Sequence, residues 1–162
     1  MVANRIDPPS ARAARLRSMS KVKASAGAQL PADPEVVFAF LRDYHDNRPR
    51  ILTDNYSAYR VEEGGTGDGT VYAYHFAAGG RERDYRLQVQ ERGTRLHESD
   101  RMSSFQSVWS VDPAPGGSHV TIESSWDGAG GIAGLFEGFF APKGLRRIYT
   151  QVLQRLRSEL GA

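Results

Sequence analysis

Between Tyr56 and Asp127 the chain alternates apolar and polar residues in one short stretch after another, each ended by glycine, and this period of two restricts it to a sheet. "YSAYRVEE" runs into the glycine-dense "GGTGDGT"; "TVYAYHFAAGGRERDYRLQV" gives two strands about Gly79-Gly80; "TRLHESDRM", "SFQSVWSV" and "HVTIESSWD" add three more, separated by "ERGT" and "DPAPGGS". One strand precedes them, since "KVKASAGAQL" sets Val22, Ala24, Ala26, Ala28 and Leu30 on alternate positions. "DPEVVFAFLRD" then starts as a helix, with Asp33 able to cap, Pro34 suited to the first helical position and Glu35 favoured by the dipole. It turns Val36, Val37, Phe40 and Leu41 inward. The polar segment "YHDNRPRIL" leads back to extended chain, and a long helical pattern, "GIAGLFEGFFAPKGLRRIYTQVLQRLRSEL", closes the sequence. A strand, two short helices, six strands and a terminal helix predict an α+β domain, an antiparallel sheet of about seven strands covered by one long helix.

The turns fix which side of that sheet faces in. With Gly79-Gly80 as a two-residue loop, Ala78 lies opposite Arg81, Phe76 opposite Arg83, Tyr74 opposite Tyr85 and Tyr72 opposite Leu87. The other face carries Glu82, Asp84, Arg86, Gln88 and Gln90, so the aromatic face is the buried one. A four-residue "ERGT" loop then sets Val89 opposite Leu96, Leu87 opposite Glu98, Tyr85 opposite Asp100 and Arg83 opposite Met102. Trp109 and Val111, then Val120, Ile122, Ser124 and Trp126, complete the inward set. Rings of this size remove roughly 200 Å² each from water and demand an apolar cover, which the terminal helix supplies. Arg83, Glu98, Asp100, Ser107 and Ser124 share the same face, and unpaired charge in a dry core costs several kcal/mol per ion. The expected resolution is a sheet curved around the helix over an incompletely filled interior, polar where Arg83, Glu98 and Asp100 gather: a ligand cavity. On the helix, Ile132, Leu135, Phe136 and Phe139 form one stripe and Ile148, Val152, Leu156 and Leu160 another. The phase changes at "APKG", where Pro142 and Gly144 predict a kink; the glycine-dense "DGAGGIAG" before it reads either as a gate beside Phe136, Phe139 and Phe140 or as an irregular helix start.

Composition narrows the function classes. Length and a 40% hydrophobic, 25% charged make-up fit one globular domain over residues 21–162. The formal charge of +2 is local in origin: four of the 21 basic residues but one of the 19 acidic ones fall in residues 1–20, leaving the remainder near neutral. A nucleic-acid module carries a basic face of its own, so no nucleic-acid partner is expected. Residues 1–20 read as a disordered basic arm, with Met19 able to begin the domain by itself; an arm that binds an anionic surface or RNA is the alternative. No apolar run approaches a membrane span and no secretory signal opens the chain, which predicts a cytoplasmic protein without stable membrane association and makes "NYS" at Asn55 a chance match to the glycosylation triplet. The chain has no Cys, which excludes disulfides, thiolate catalysis and Cys-based metal sites. His45, His75, His97 and His119 are scattered and read as solvated, "HESDR" lacks the second His of a zincin, "GGTGDGT" lacks the Lys of a phosphate loop, and no G-x-S-x-G elbow occurs. Neither metal nor cofactor is expected.

"LPADPEVVFAFLRDYHDNRPRI" after the first strand, "GTGDGTVYAYHFAAGGRERDYRLQVQE" in the sheet, the turn "PGGSHVTIE" and the long last helix together resemble the START-like, or SRPBCC, superfamily with its helix-grip fold, and within it the polyketide cyclase/dehydrase-like branch. The resemblance covers residues 21–160. It implies binding of a hydrophobic or aromatic small molecule between sheet and helix, with cyclisation, dehydration or lipid transfer added in some members.

Two readings of the inward residues follow. In the first the chain binds a lipid- or polyketide-like molecule without catalysis, against Tyr72, Tyr74, Phe76, Tyr85, Leu87, Trp109, Trp126, Phe136 and Phe139. In the second it is a cyclase or dehydratase: Glu98 and Asp100, at i and i+2 on one strand, serve as acid and base, Arg83 holds an oxyanion and Tyr74 or Tyr85 donates to a developing enolate. The same three charged residues can equally form an internal salt bridge closing the polar end of the cavity. The oligomeric state is not legible from the sequence.

Overall fold

The computed structural model describes residues 21–128 and 142–161. Strand β1 (Lys21–Leu30) is followed by helix α1 (Pro34–Arg42), a 3-10 turn (Arg48–Ile51), β2 (Tyr56–Glu63), β3 (Val71–Ala78), β4 (Arg81–Arg92), β5 (Arg95–Asp100), β6 (Gln106–Ala114), β7 (Gly117–Asp127) and helix α2 (Pro142–Glu159). The seven strands form one antiparallel curved sheet in the order β1-β7-β6-β5-β4-β3-β2, so the first strand pairs with the last and β1 and β2 are the edges. This is the expected α+β architecture, with α2 lying against β1 and the 3-10 turn.

The β3–β4 hairpin has the expected register, Phe76 facing Arg83, Tyr74 facing Tyr85 and Tyr72 facing Leu87. Gly79 and Gly80 both adopt positive φ, the geometry that matches a two-residue turn to the strand twist. The β4–β5 register differs from expectation. Pairing continues to Arg92 and Arg95, so Gly93-Thr94 forms the loop, and Leu87 faces Asp100 while Val89 faces Glu98. The slip is two residues, an even number, and therefore leaves the paired side chains on the faces assigned to them, whereas Met102, expected opposite Arg83, lies beyond the end of β5 and is 75% exposed. Tyr72, Tyr74, Phe76, Tyr85, Leu87, Trp109, Val111, Val120 and Ile122 are all buried.

Helix α1 buries Val37, Phe40 and Leu41, whereas Val36 is 53% exposed, a correction to the expected stripe: the buried arc is narrower and Val36 lies past its edge. Asp33 caps through its backbone alone, its carbonyl accepting from Val37 at 3.1 Å. In α2, Ile148, Val152 and Leu156 are buried as expected and are joined by Leu145, Tyr149 and Leu153. Pro142 is the first residue of that helix, a position that asks for no amide hydrogen bond. The stripe of Ile132, Leu135, Phe136 and Phe139, with the kink and gate expected beside it, lies outside the described residues, as does the 1–20 arm.

The "GGTGDGT" loop has a packing role. It closes on the end of α1 through main-chain bonds, Gly67 N donating to Arg42 O at 2.8 Å and Tyr44 N to Gly65 O at 2.9 Å. A Cβ on Gly67, whose φ is +59°, would stand 2.1 Å from a carboxylate oxygen of Glu91, itself paired with Arg42 at 3.0 Å. The clamp sets the direction in which residues 43–51 leave the helix.

Candidate ligand cavity

Those residues carry the polar centre of the interior. Tyr44 and Arg48 turn inward and are 0% and 2% exposed. Arg48 donates through Nη1 to Leu41 O at 2.8 Å and forms an ion pair through Nη2 with Glu98 on β5. Tyr44 donates its hydroxyl to the same Glu98 oxygen at 2.8 Å, and Ser107 on β6 donates to the other at 2.8 Å. The guanidinium carbon lies 4.0 Å from the Trp109 ring centroid and 4.9 Å from that of Tyr44, an aromatic sandwich that suits a weakly hydrated planar cation. Burial works against the Arg48 charge, yet the adjacent Glu98 holds its pKa above the ordinary guanidinium value.

The expected trio of Arg83, Glu98 and Asp100 is therefore divided. Glu98 takes Arg48 as its cation, and Arg83 pairs with Asp100 at 3.3 Å. The Asp100 side chain is fully enclosed; it accepts from Arg86 N at 3.1 Å and from the Ser103 hydroxyl at 2.6 Å, tying β4 and the turn after β5 together. Arg83 also lies 5.0 Å from the Tyr85 ring centroid. Neither Arg83 nor Asp100 lines a void described below, and Glu98 does.

All seven tyrosines of the chain lie in the core or packed against it. Tyr44, Tyr72, Tyr74 and Tyr85 continue as neighbouring rings with centroids 4.9–5.9 Å apart, and Tyr56 meets Tyr74 and Phe76 edge-on at 5.0 and 4.8 Å. Burial pushes the phenols of Tyr44, Tyr72, Tyr74 and Tyr149 well above the ordinary value and that of Tyr85 up to about 12, so near neutrality all of these are uncharged hydroxyls. Tyr149 reaches across from α2 to Ser124 on β7 at 2.5 Å.

Two voids lie among these groups. One, about 30 Å³, is polar at one end, where Arg48, Glu98 and Ser107 meet Tyr72, Trp109 and Ile122. The other, about 10 Å³, is bounded by Phe76, Tyr85 and Leu145. Tyr56, Tyr74, Phe105 and Tyr149 stand on the walls of both. The larger void has room for a water or two, against the ~300 Å³ and upward of a ligand pocket. The interior is thus better filled than expected, because seven tyrosines and Phe105 turn toward one another across it. Of the residues expected to contact a ligand, Tyr72, Tyr74, Phe76, Tyr85 and Trp109 face a void. Leu87 is buried in the wall behind, Trp126 is half-buried and stacks on Phe105 at 6.3 Å, and Phe136 and Phe139 lie outside the described residues.

Tyr44, Arg48, Tyr56, Tyr59, Phe105 and Tyr149 went unassigned in the sequence. For Arg48 the one available signal was indirect: Glu98 faced inward and needed a cation. The histidines stay outside the cavity; His75 is held on the outer face by Asp84 at 2.8 Å. Among the described residues no cluster of His, Cys, Asp or Glu can hold a metal ion, and no helix is long and apolar enough to cross a membrane.

Comparison with known proteins agrees with this arrangement. The sequence profile of the family described as "Polyketide cyclase / dehydrase and lipid transport" matches residues 19–161. The solution structure of KanY protein (ms6282) is 41% identical, with a TM-score of 0.80, over 89% of this chain and 100% of that one. Major latex-like protein 151 of Panax ginseng has the same fold at 12% identity, with a TM-score of 0.68 over 88% of this chain and 99% of that one. So does BexL, a di-domain ARO/CYC from the BE-7585A biosynthetic pathway, at 12% identity and a TM-score of 0.66; the match covers 91% of this chain and 52% of BexL. No curated protein matches the chain. With its profile match spanning nearly the whole domain and a relative at 41% identity, the chain belongs to the polyketide cyclase / dehydrase and lipid transport family.

Proposed function

We propose that the protein binds a hydrophobic, ring-containing small molecule, lipid- or polyketide-like, between the sheet and α2. The observation that carries this reading is the buried Arg48–Glu98–Ser107 group at one end of an otherwise aromatic interior. A core made only for stability gains little from a buried ion pair, since hydrophobic residues of the same volume serve at least as well. A cavity that must orient a ligand does gain a fixed polar end. The Tyr72 and Tyr74 hydroxyls add to this. Both are buried on the wall of the larger void, and among the described residues neither has a protein hydrogen-bond partner. Such a hydroxyl costs about 1–3 kcal/mol until something bonds to it, so an occupant bearing oxygen is favoured over a plain hydrocarbon. Occupancy requires the rings to part, because the larger void as it stands has room for no more than a water or two. Native mass spectrometry of the purified protein tests the reading: a retained apolar ligand supports it. Failure of the protein to retain any ligand, or to take one up from a panel of oxygenated aromatics, sinks it.

A second reading, a cyclase or dehydratase, is favoured by the position of Glu98 on the cavity wall. Here Glu98 would remove a proton beside a ligand carbonyl, and Arg48, in place of Arg83, would hold the resulting oxyanion. Against it, Glu98 already accepts from Arg48, Tyr44 and Ser107. Glu98→Gln abolishing turnover with ligand affinity retained supports the enzyme; affinity and turnover falling together favours the carrier.

A further inference from the structure

Resting on the ligand-binding reading, we propose that Phe105 sets the size of ligand the protein accepts, and that Asp100 with Ser103 positions it.

Four rings stand between the two voids, and three of them are fixed by regular structure. Tyr56 and Tyr74 are held in the β2–β3–β4 ladder, where Tyr56 faces Phe76 and Tyr74 faces Tyr85. Tyr149 is carried by α2 and bonded to Ser124. Phe105 is different. It precedes β6 at the end of the turn through Arg101–Ser104, where a single main-chain bond, Asp100 N to Phe105 O, ties it to β5, so a shift of its backbone opens only the end of the β5–β6 ladder. Its ring, 8% exposed, lies 5.0 Å from Tyr85 and 6.3 Å from Trp126, and withdrawing it joins the polar void to the apolar one.

Arg101 N donates to Arg86 O at 2.9 Å and Asp127 N to Ser104 Oγ at 3.0 Å to anchor the turn, and Asp100 fixes Phe105 within it. Asp100 accepts from Ser103 Oγ at 2.6 Å, Phe105 N donates to the same Ser103 Oγ at 3.2 Å, and Asp100 N donates to Phe105 O at 2.9 Å. Arg83 and the Arg86 amide hold the Asp100 carboxylate from β4. These contacts account for a buried acidic residue that faces neither void, and they make Asp100 a positioning residue. Removing the Phe105 side chain creates apolar space next to two voids, and about 150 Å³ of such space admits a benzene ring.

The test measures dissociation constants of 2-naphthol and of the three-ring 2-hydroxyanthracene by quenching of tryptophan fluorescence, for the wild type, Phe105→Ala, Phe105→Leu and Ser103→Ala. The expected result is a ratio of affinities moved toward the three-ring probe by tenfold or more in Phe105→Ala, by less in Phe105→Leu, and in the same direction in Ser103→Ala. Melting curves identify the folded variants, and Phe105→Leu serves if Phe105→Ala does not fold. A ratio that stays at the wild-type value in the folded Phe105 variants overturns the proposal. If the wild type binds neither probe, the ligand-binding reading loses its support, while Phe105 as the partition stands if a Phe105 variant takes up the larger probe and falls if none does.

Discussion

Arg48 and Glu98, fifty residues apart, meet as a buried ion pair, with the guanidinium carbon over the Trp109 ring, 4.0 Å from its centroid. One partner arrives on a 3-10 turn and the other on a central strand, so the pair joins the irregular part of the chain to the sheet.

Replacing one member strands a buried charge. Arg48→Met and Glu98→Leu should each lower unfolding free energy by about 3–5 kcal/mol, whereas the double replacement Arg48→Met with Glu98→Leu should recover most of that loss. Urea denaturation of the two single variants and the double variant measures the coupling. Single and double losses that simply add would mean that the two charges do not depend on each other.

Tyr44→Phe removes a donor from Glu98 without removing the ring beside Tyr72. It should cost about 1–3 kcal/mol, and more in an Arg48→Met background, since both donors serve one carboxylate oxygen and without Arg48 that oxygen depends on the phenol. Chemical denaturation of the four members of the cycle gives the answer.

Alkaline pH attacks the core through its phenols. A tyrosine whose pKa rises on folding stabilises the fold fully below its unfolded value, near 10, and less as pH climbs toward the folded value. With Tyr85 at about 12 and Tyr44, Tyr72, Tyr74 and Tyr149 pushed well up by burial, stability should fall from about pH 10 upward. Phenolate absorbance should then appear together with loss of near-UV circular dichroism. Five or more tyrosines titrating near pH 10 in a protein that stays folded would contradict this.

His75 gives a separate signature near neutrality. Its hydrogen bond to Asp84, with Glu82 behind, raises the imidazole pKa despite the cost of desolvation. That contribution to stability is fully present below about pH 6.5 and disappears as pH rises through the folded pKa. In Asp84→Asn the His75 ring proton resonances should titrate at lower pH than in the wild type; an unchanged midpoint would remove Asp84 as the cause.

How much of this was legible in the sequence depends on periodicity. Gly79-Gly80 pinned the β3–β4 register because both residues had to take positive φ, and the face carrying Tyr72, Tyr74 and Tyr85 followed. "ERGT" offers a single glycine, so the loop length read two residues too long, an error that a period of two forgives. Arg48 and Tyr44 were hidden because residues 43–55 repeat at neither two nor 3.6, and nothing local separates Arg48, buried, from Arg50, exposed. Tyr149 was missed for another reason: it was not assigned to the inward stripe of Ile148, Val152, Leu156 and Leu160, although Ser124 faced it across the interior.

The grip of the Gly64–Thr70 loop on the end of α1 is made through peptide groups, Gly67 N to Arg42 O and Tyr44 N to Gly65 O, with the His45 ring adding a contact to Gly64 O at 3.2 Å. Direction of exit is thereby decoupled from the identity of the outer residues of that helix, and substitutions at Glu35, Val36 or Ala39, all facing solvent, can accumulate without moving the buried arginine they precede. Gly65 and Gly67 have no such latitude, because their φ of +135° and +59° strains any residue with a Cβ, which would in addition displace the side chain of His45 or Glu91.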